Sequence, residues 1–174
     1  MGHFFSKMSK SLICCFTHKV IHRLALILVV AFGAVHAAQL PTFEALSRQA
    51  QSGDAWAMLN LGAAYDNGTF EQKVDPEKAV FWYRQAAEKG LGKAQFALAH
   101  SYATGNGLKQ SYIEALPWMH QAALQGEVDA MYLLGVMHAE GLGTDIDVEQ
   151  AKSWLEKAAA QQHLDAADYL KKLQ

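Results

Sequence analysis

No cysteine lies beyond residue 15 of this 174-residue chain; the two it has are Cys14 and Cys15. Everything downstream therefore lacks a thiol nucleophile and a disulfide, and a fold built there stands on packing alone. An excess of positive charge is missing too. Lys7, Lys10, Lys19 and Arg23 carry the only charges of the first 37 residues, and the remainder holds 17 acids against 11 bases, a net charge of −6 with histidine neutral. An acidic domain repels phosphate backbones, so nucleic acid is not an expected partner. Catalytic signatures are absent as well: there is no Ser-x-x-Lys, no Gly-x-Ser-x-Gly, no phosphate-binding glycine loop and no His-Glu-x-x-His. Beyond residue 37 the histidines are His100, His120, His138 and His163, and no two stand four apart on one helix. The expectation is a chain without catalytic residues, without a metal and without a cofactor.

Long apolar runs are also scarce. One stands out, LALILVVAFGAV over residues 24–35, and its twelve residues fall short of the roughly 20 that span a bilayer core. A basic stretch precedes it, and it ends in Val-His-Ala, with Val35 and Ala37 three and one residues before a cut. Residues 1–37 thus read as a secretory signal peptide cleaved between Ala37 and Ala38. Both cysteines precede the apolar run, and Ile13 stands where a lipoprotein site needs a small residue, so lipid anchoring is not expected. The mature chain is expected to be periplasmic or secreted, with no stable membrane anchor.

What the chain does have is repetition. WYRQAAEKG (residues 82–90) returns as WMHQAALQG (118–126) and as WLEKAAAQQ (154–162), each 36 residues after the last. A second pattern, A-x-x-x-L-G-x-x-Y-x-x-G, precedes each copy. Its copies are Ala57, Leu61, Gly62, Tyr65, Gly68; Ala94, Leu98, Ala99, Tyr102, Gly105; and Ala130, Leu134, Gly135, His138, Gly141. Spacings of four and eight put Ala, Leu and Tyr on one helical face, and the closing glycine suits a left-handed cap. Asp75 before Pro76, Ser111 with Glu114 and Asp147 with Gln150 are start signals for a second helix.

Each unit is therefore a helix A, a glycine loop and a helix B. The A helices are expected near residues 54–67, 91–104 and 127–140, and the B helices near 76–89, 112–125 and 148–161. A lone B-type helix over residues 43–51 opens the array, and a truncated A helix over 165–173 closes it with Lys171 and Lys172 outward. In domain terms, 38–53 is an N-terminal cap, 54–90, 91–126 and 127–162 are three repeats, and 163–174 is a C-terminal cap. One helix pair cannot bury two apolar faces, whereas stacked pairs can. The three tryptophans in register are expected in that shared core. Pro117, inside the second B helix, is expected to kink it.

The units resemble Sel-1-like repeats, a subclass of the tetratricopeptide superfamily, over residues 43–174. The resemblance implies an all-α, right-handed solenoid that acts as a protein-interaction scaffold, here in a bacterial-type envelope. Departures are one extra residue in the loop TFEQKV, Ala99 for Gly, His138 for Tyr and Gln162 for the closing Gly. His138, on a core position, is expected as a partly buried, hydrogen-bonded ring. A secreted, cysteine-rich branch of the family is associated with β-lactam binding or hydrolysis, but it is stapled by a disulfide in each repeat. Without those cysteines a β-lactam-type hydrolase stands only as the rival, beside a binder of cell-wall ligands.

One strip is left over from the core pattern. With the repeat's Ala at zero, the core centres near about 60°, and positions two and six further on fall at about 200° and 240°, the opposite side. Those positions hold Leu59 and Ala63, Phe96 and His100, and Tyr132 and Val136, followed by Asp168 and Lys172 of the end helix. Trp56, Lys93 and Asp129 border them. By the resemblance this is the concave groove, so Trp56, Leu59, Phe96, His100, Tyr132 and Val136 are the candidate binding residues for a protein or peptide segment. The alternative is that adjacent A helices bury these side chains against each other.

Overall fold

A computed structural model of the chain describes residues 42–173. The signal-peptide reading, the cut between Ala37 and Ala38 and the first residues of the N-terminal cap lie outside them. The described residues form eight helices and no strand: α1 Phe43–Gln51, α2 Ala55–Asn67, α3 Pro76–Glu88, α4 Gly92–Thr104, α5 Tyr112–Leu124, α6 Val128–Glu140, α7 Val148–Ala160 and α8 Ala166–Lys172. Each packs chiefly on the helix before it and the helix after it. This is an all-α solenoid, with α2, α4 and α6 as the A helices and α3, α5 and α7 as the B helices.

Local chemistry sets the ends of these helices. Gly68, Gly105 and Gly141 close the A helices in the left-handed region. The N–H of each B helix's capping residue then donates back to the tyrosine-position carbonyl, from Asp75 to Tyr65, Ser111 to Tyr102 and Asp147 to His138, at 2.8–2.9 Å. That bond explains why the expected capping box at Ser111 is half formed. Ser111 Oγ accepts from the Glu114 N–H at 3.3 Å, while the Ser111 N–H already donates to Tyr102. The alanine pair of WxxxAA has its own duty at the other end. Ala86, Ala122 and Ala158 accept the N–H of Leu91, Glu127 and His163 in Schellman-type caps. Such a cap needs a left-handed residue between, which Gly90 and Gly126 supply; Gln162 must adopt φ +65° in their place.

Close packing accounts for the small residue beside leucine. A Cβ on Gly62 would lie 2.6 Å from the Tyr83 ring, and one on Gly135 would lie 2.7 Å from Leu155 Cγ. Ala99 is tolerated because pliable Met119 stands where Tyr83 and Leu155 stand. A second loop glycine ties neighbouring units. A Cβ on Gly107 would meet the Pro76 carbonyl oxygen at 2.2 Å, and one on Gly143 would meet the Tyr112 carbonyl at 2.5 Å. In the first loop the same position is Phe70, also at positive φ, and it reaches Phe43 of α1 with its ring instead, 6.3 Å between centres.

The tryptophans depart from expectation. Trp154 is buried, at 8 % exposure, but Trp82 and Trp118 are half-buried. They sit at the margin of the B-helix face, and Trp154 gains extra cover from His120 edge-on at 5.6 Å and from Lys157 Nζ over its ring at 3.8 Å. The central positions are Leu61, Leu98, Met119, Leu134 and Leu155, all fully buried. Pro117 lies within α5, which keeps the thirteen-residue span of α3 and α7, and the lost N–H deprives only the Ile113 carbonyl.

Candidate functional site

Burial on the A helices follows the repeat. In α2 the buried residues are Ala57, Met58, Leu61, Gly62 and Ala64; in α6 they are Ala130, Met131, Leu134, Gly135, Met137 and His138. The face opposite is neither closed nor fully open. Trp56 is 52 % exposed and His100 is exposed, while Leu59, Phe96, Tyr132 and Val136 are half-buried. Because the A helices pack on B helices before and after them, no tight pairing of A helix on A helix seals the strip.

The strip changes character along its length. At the N-terminal end Lys93 Nζ lies 5.5 Å from the centre of the Trp56 ring, a cation–π contact in solvent. In the middle the Phe96 and His100 rings tilt toward each other at 6.2 Å. At the C-terminal end Tyr132 stacks flat on His163 at 4.3 Å and meets Tyr169 edge-on at 6.3 Å. His163 Nε2 stands 3.5 Å from Asp129 Oδ1, and Tyr169 donates its hydroxyl to Glu140 at 2.8 Å. Burial and the Glu140 bond push the Tyr169 hydroxyl up to about 12. Burial, then the carboxylates of Asp165 and Glu140, also raises that of Tyr132.

The six candidates thus divide. Trp56, Leu59, Phe96 and His100 line one continuous stretch over α2 and α4, whereas Tyr132 is tied to the end of the array. The end helix brings Tyr169 to Tyr132. Asp168 pairs with Lys171 at 2.7 Å, and Lys172 Nζ lies over the Tyr169 ring at 5.7 Å. His163 escaped the sequence reading because it lies in a loop, where helical periodicity carries no information; Tyr169 escaped because it stands three residues after Ala166, outside the positions two and six that were read as the strip.

His138 differs from expectation as well. It is buried, at 7 % exposure, but its Nδ1 has no hydrogen-bond partner. The ring of a histidine is shorter than that of the tyrosine it replaces and cannot reach as far. Burial holds its pKa below the ordinary value, against a smaller opposing pull from Asp147. Among the described residues no group of three or more His, Cys, Asp or Glu is arranged to hold a metal ion.

The profile of the Sel1 repeat matches residues 57–91, 92–127 and 128–163. Among solved structures, a Sel1 repeat protein from Oxalobacter formigenes superposes with a TM-score of 0.66 at 39% identity, over 73% of this chain and 95% of that one. Among curated proteins, chitin synthase regulatory factor 3 of Schizosaccharomyces pombe is 36% identical over 64 residues, and the ERAD-associated E3 ubiquitin-protein ligase component HRD3A of Arabidopsis thaliana is 37% identical over 65. Each covers 37% of this chain, which in turn spans only 7% and 10% of their lengths.

Proposed function

We propose a function from one premise: the chain belongs to the Sel1 repeat family. It acts as an exported, non-enzymatic scaffold of a bacterial-type envelope and binds a protein or peptide segment along its A-helix face. The observation that carries this reading is the half-open strip in which Trp56 and His100 stand in solvent while Leu59 and Phe96 lie half-buried against the core. A large apolar surface left in water is unfavourable unless a partner covers it. Two relatives lend support through their names, one a regulatory factor and one a component of a ligase assembly. Export rests on the basic stretch, the apolar run and Val-His-Ala before Ala38.

In this reading the best anchors lie in the N-terminal half. Trp56 is exposed under Lys93 and Phe96 is half-buried beside His100, whereas Tyr132 stacks on His163. Replacing Trp56 and Phe96 by Ala is expected to weaken a partner captured from an envelope extract by about 2 kcal/mol or more, as aromatic hot spots do. Helicity should hold, with the melting temperature lowered only by the partial burial of Phe96. A double variant that binds as wild type removes the strip from the interface. N-terminal sequencing of the cellular protein tests export, and an intact Met1 in the membrane fraction overturns it.

A further inference from the structure

Two equivalent steps between units differ in how they are filled. In the first, Arg84 of α3 donates from Nη2 to the Tyr102 hydroxyl of α4 at 2.9 Å, with its guanidinium carbon 5.9 Å from the ring centre. In the second, 36 residues on, the same positions hold His120 and His138. Both are shorter, and His120 turns toward Trp154. A recess of about 370 Å³ lies between α5 and α7 over α6, walled by Leu116, Pro117, His120, Gln121, Leu134, His138 and Gln150, and no arginine reaches into it; at the first step a recess of about 410 Å³ is lined by Arg84 itself, with Tyr102 and Glu114. It lies on the far side of α6 from the strip that Tyr132 and Val136 belong to.

The walls offer acceptors. His138 Nδ1 is buried and unpartnered, and burial favours the neutral ring, which carries one acceptor nitrogen. Gln150 uses its amide N–H on Asp147 Oδ2 at 3.1 Å, which leaves its carbonyl oxygen unspent. The Asp147 carboxylate is close enough to act on the His138 ring, so an anion entering here meets negative charge. A buried polar group without a partner is costly, and a donor-rich occupant removes that cost.

We propose that this recess is a binding site for a guanidinium group, an arginine side chain of a protein partner taking the place that Arg84 takes one step earlier. A guanidinium suits it better than an ammonium. It is flat enough to lie against imidazole, presents several donors in a plane and is more weakly hydrated. The net acidic chain after residue 37 favours such a partner.

The test is a titration of the isotopically labelled protein with N-acetyl-arginine methylamide, followed by NMR at the Leu134 methyls and the Gln150 side-chain amide. The lysine and glutamate analogues serve as comparisons. Saturable shifts are expected with the arginine probe, weaker ones with lysine and none with glutamate. Two variants should lose them: H120R/H138Y, which rebuilds the first step's pair inside the recess, and H138F, which keeps a ring but removes its nitrogens. The proposal is overturned if the arginine probe gives no saturable shift, if the glutamate probe matches it, or if the shifts persist in either variant.

Discussion

The two steps between repeats share a backbone plan and differ in their chemistry. Across the first, Arg84 of α3 bonds the Tyr102 hydroxyl of α4 beside a recess of about 410 Å³; across the second, His120 and His138 make no such bond, and a recess of about 370 Å³ lies against them. The tryptophans compensate in the opposite sense. Trp118, facing the first step, is half-buried, while Trp154, facing the second, is buried under His120 and Lys157. One repeat can thus place its stabilising bulk at the tyrosine position or at the tryptophan position without disturbing the stack.

The largest expected effect probes that exchange. Trp154→Ala should cost about 3–5 kcal/mol, as a buried large-to-small change does, and Trp118→Ala about 2 kcal/mol, because part of its ring is already wet. Urea unfolding of the two variants checks the order, and equal losses would break the comparison. Next in size is H120R/H138Y, which imports the first step's filling into the second. It should gain about 1–2 kcal/mol, within the usual range for filling a void, and a loss would mean that the two steps are not interchangeable.

The pH dependence of stability sharpens the same contrast. Burial lowers the folded-state pKa of His138 beneath the ordinary 6.5, with Asp147 opposing and His120 reinforcing the shift. A lowered folded pKa means the unfolded chain takes up the proton first, so the contribution is complete above pH 6.5 and is lost as pH falls toward the folded value. H138Y should flatten that part of the stability curve, and an unchanged slope would remove His138 as its source. The smallest effect concerns the unit ends. Q162G relieves a side chain held at φ +65° where the preceding units have glycine, and should raise stability by about 0.5–1 kcal/mol in thermal unfolding.

Most of the architecture was legible because helical periodicity and turn chemistry are local. Phe43–Gln51 falls where the lone opening helix was expected, and each A and B helix lies within a residue or so of its expected ends. The strip opposite the core was legible as a direction on a helix wheel but not as a degree of cover. The wheel places Tyr132 beside Phe96 in character, yet His163 reaches Tyr132 from a loop whose course no period describes. Phe70, too, stands at a loop-glycine position, and only its contact with Phe43 explains why a bulky residue accepts positive φ there.

By itself the sequence determined the repeat length, the helix order and the residues that turn inward, because each depends on spacings of three and four and on glycine at cap positions. The tertiary structure alone decided how each gap between units is bridged. That outcome depends on side chains 18 residues apart along the chain, Arg84 with Tyr102 or His120 with His138, meeting across two helices. Whether such a pair bonds or falls short is a matter of side-chain length across a fixed backbone separation, and no local pattern records that separation.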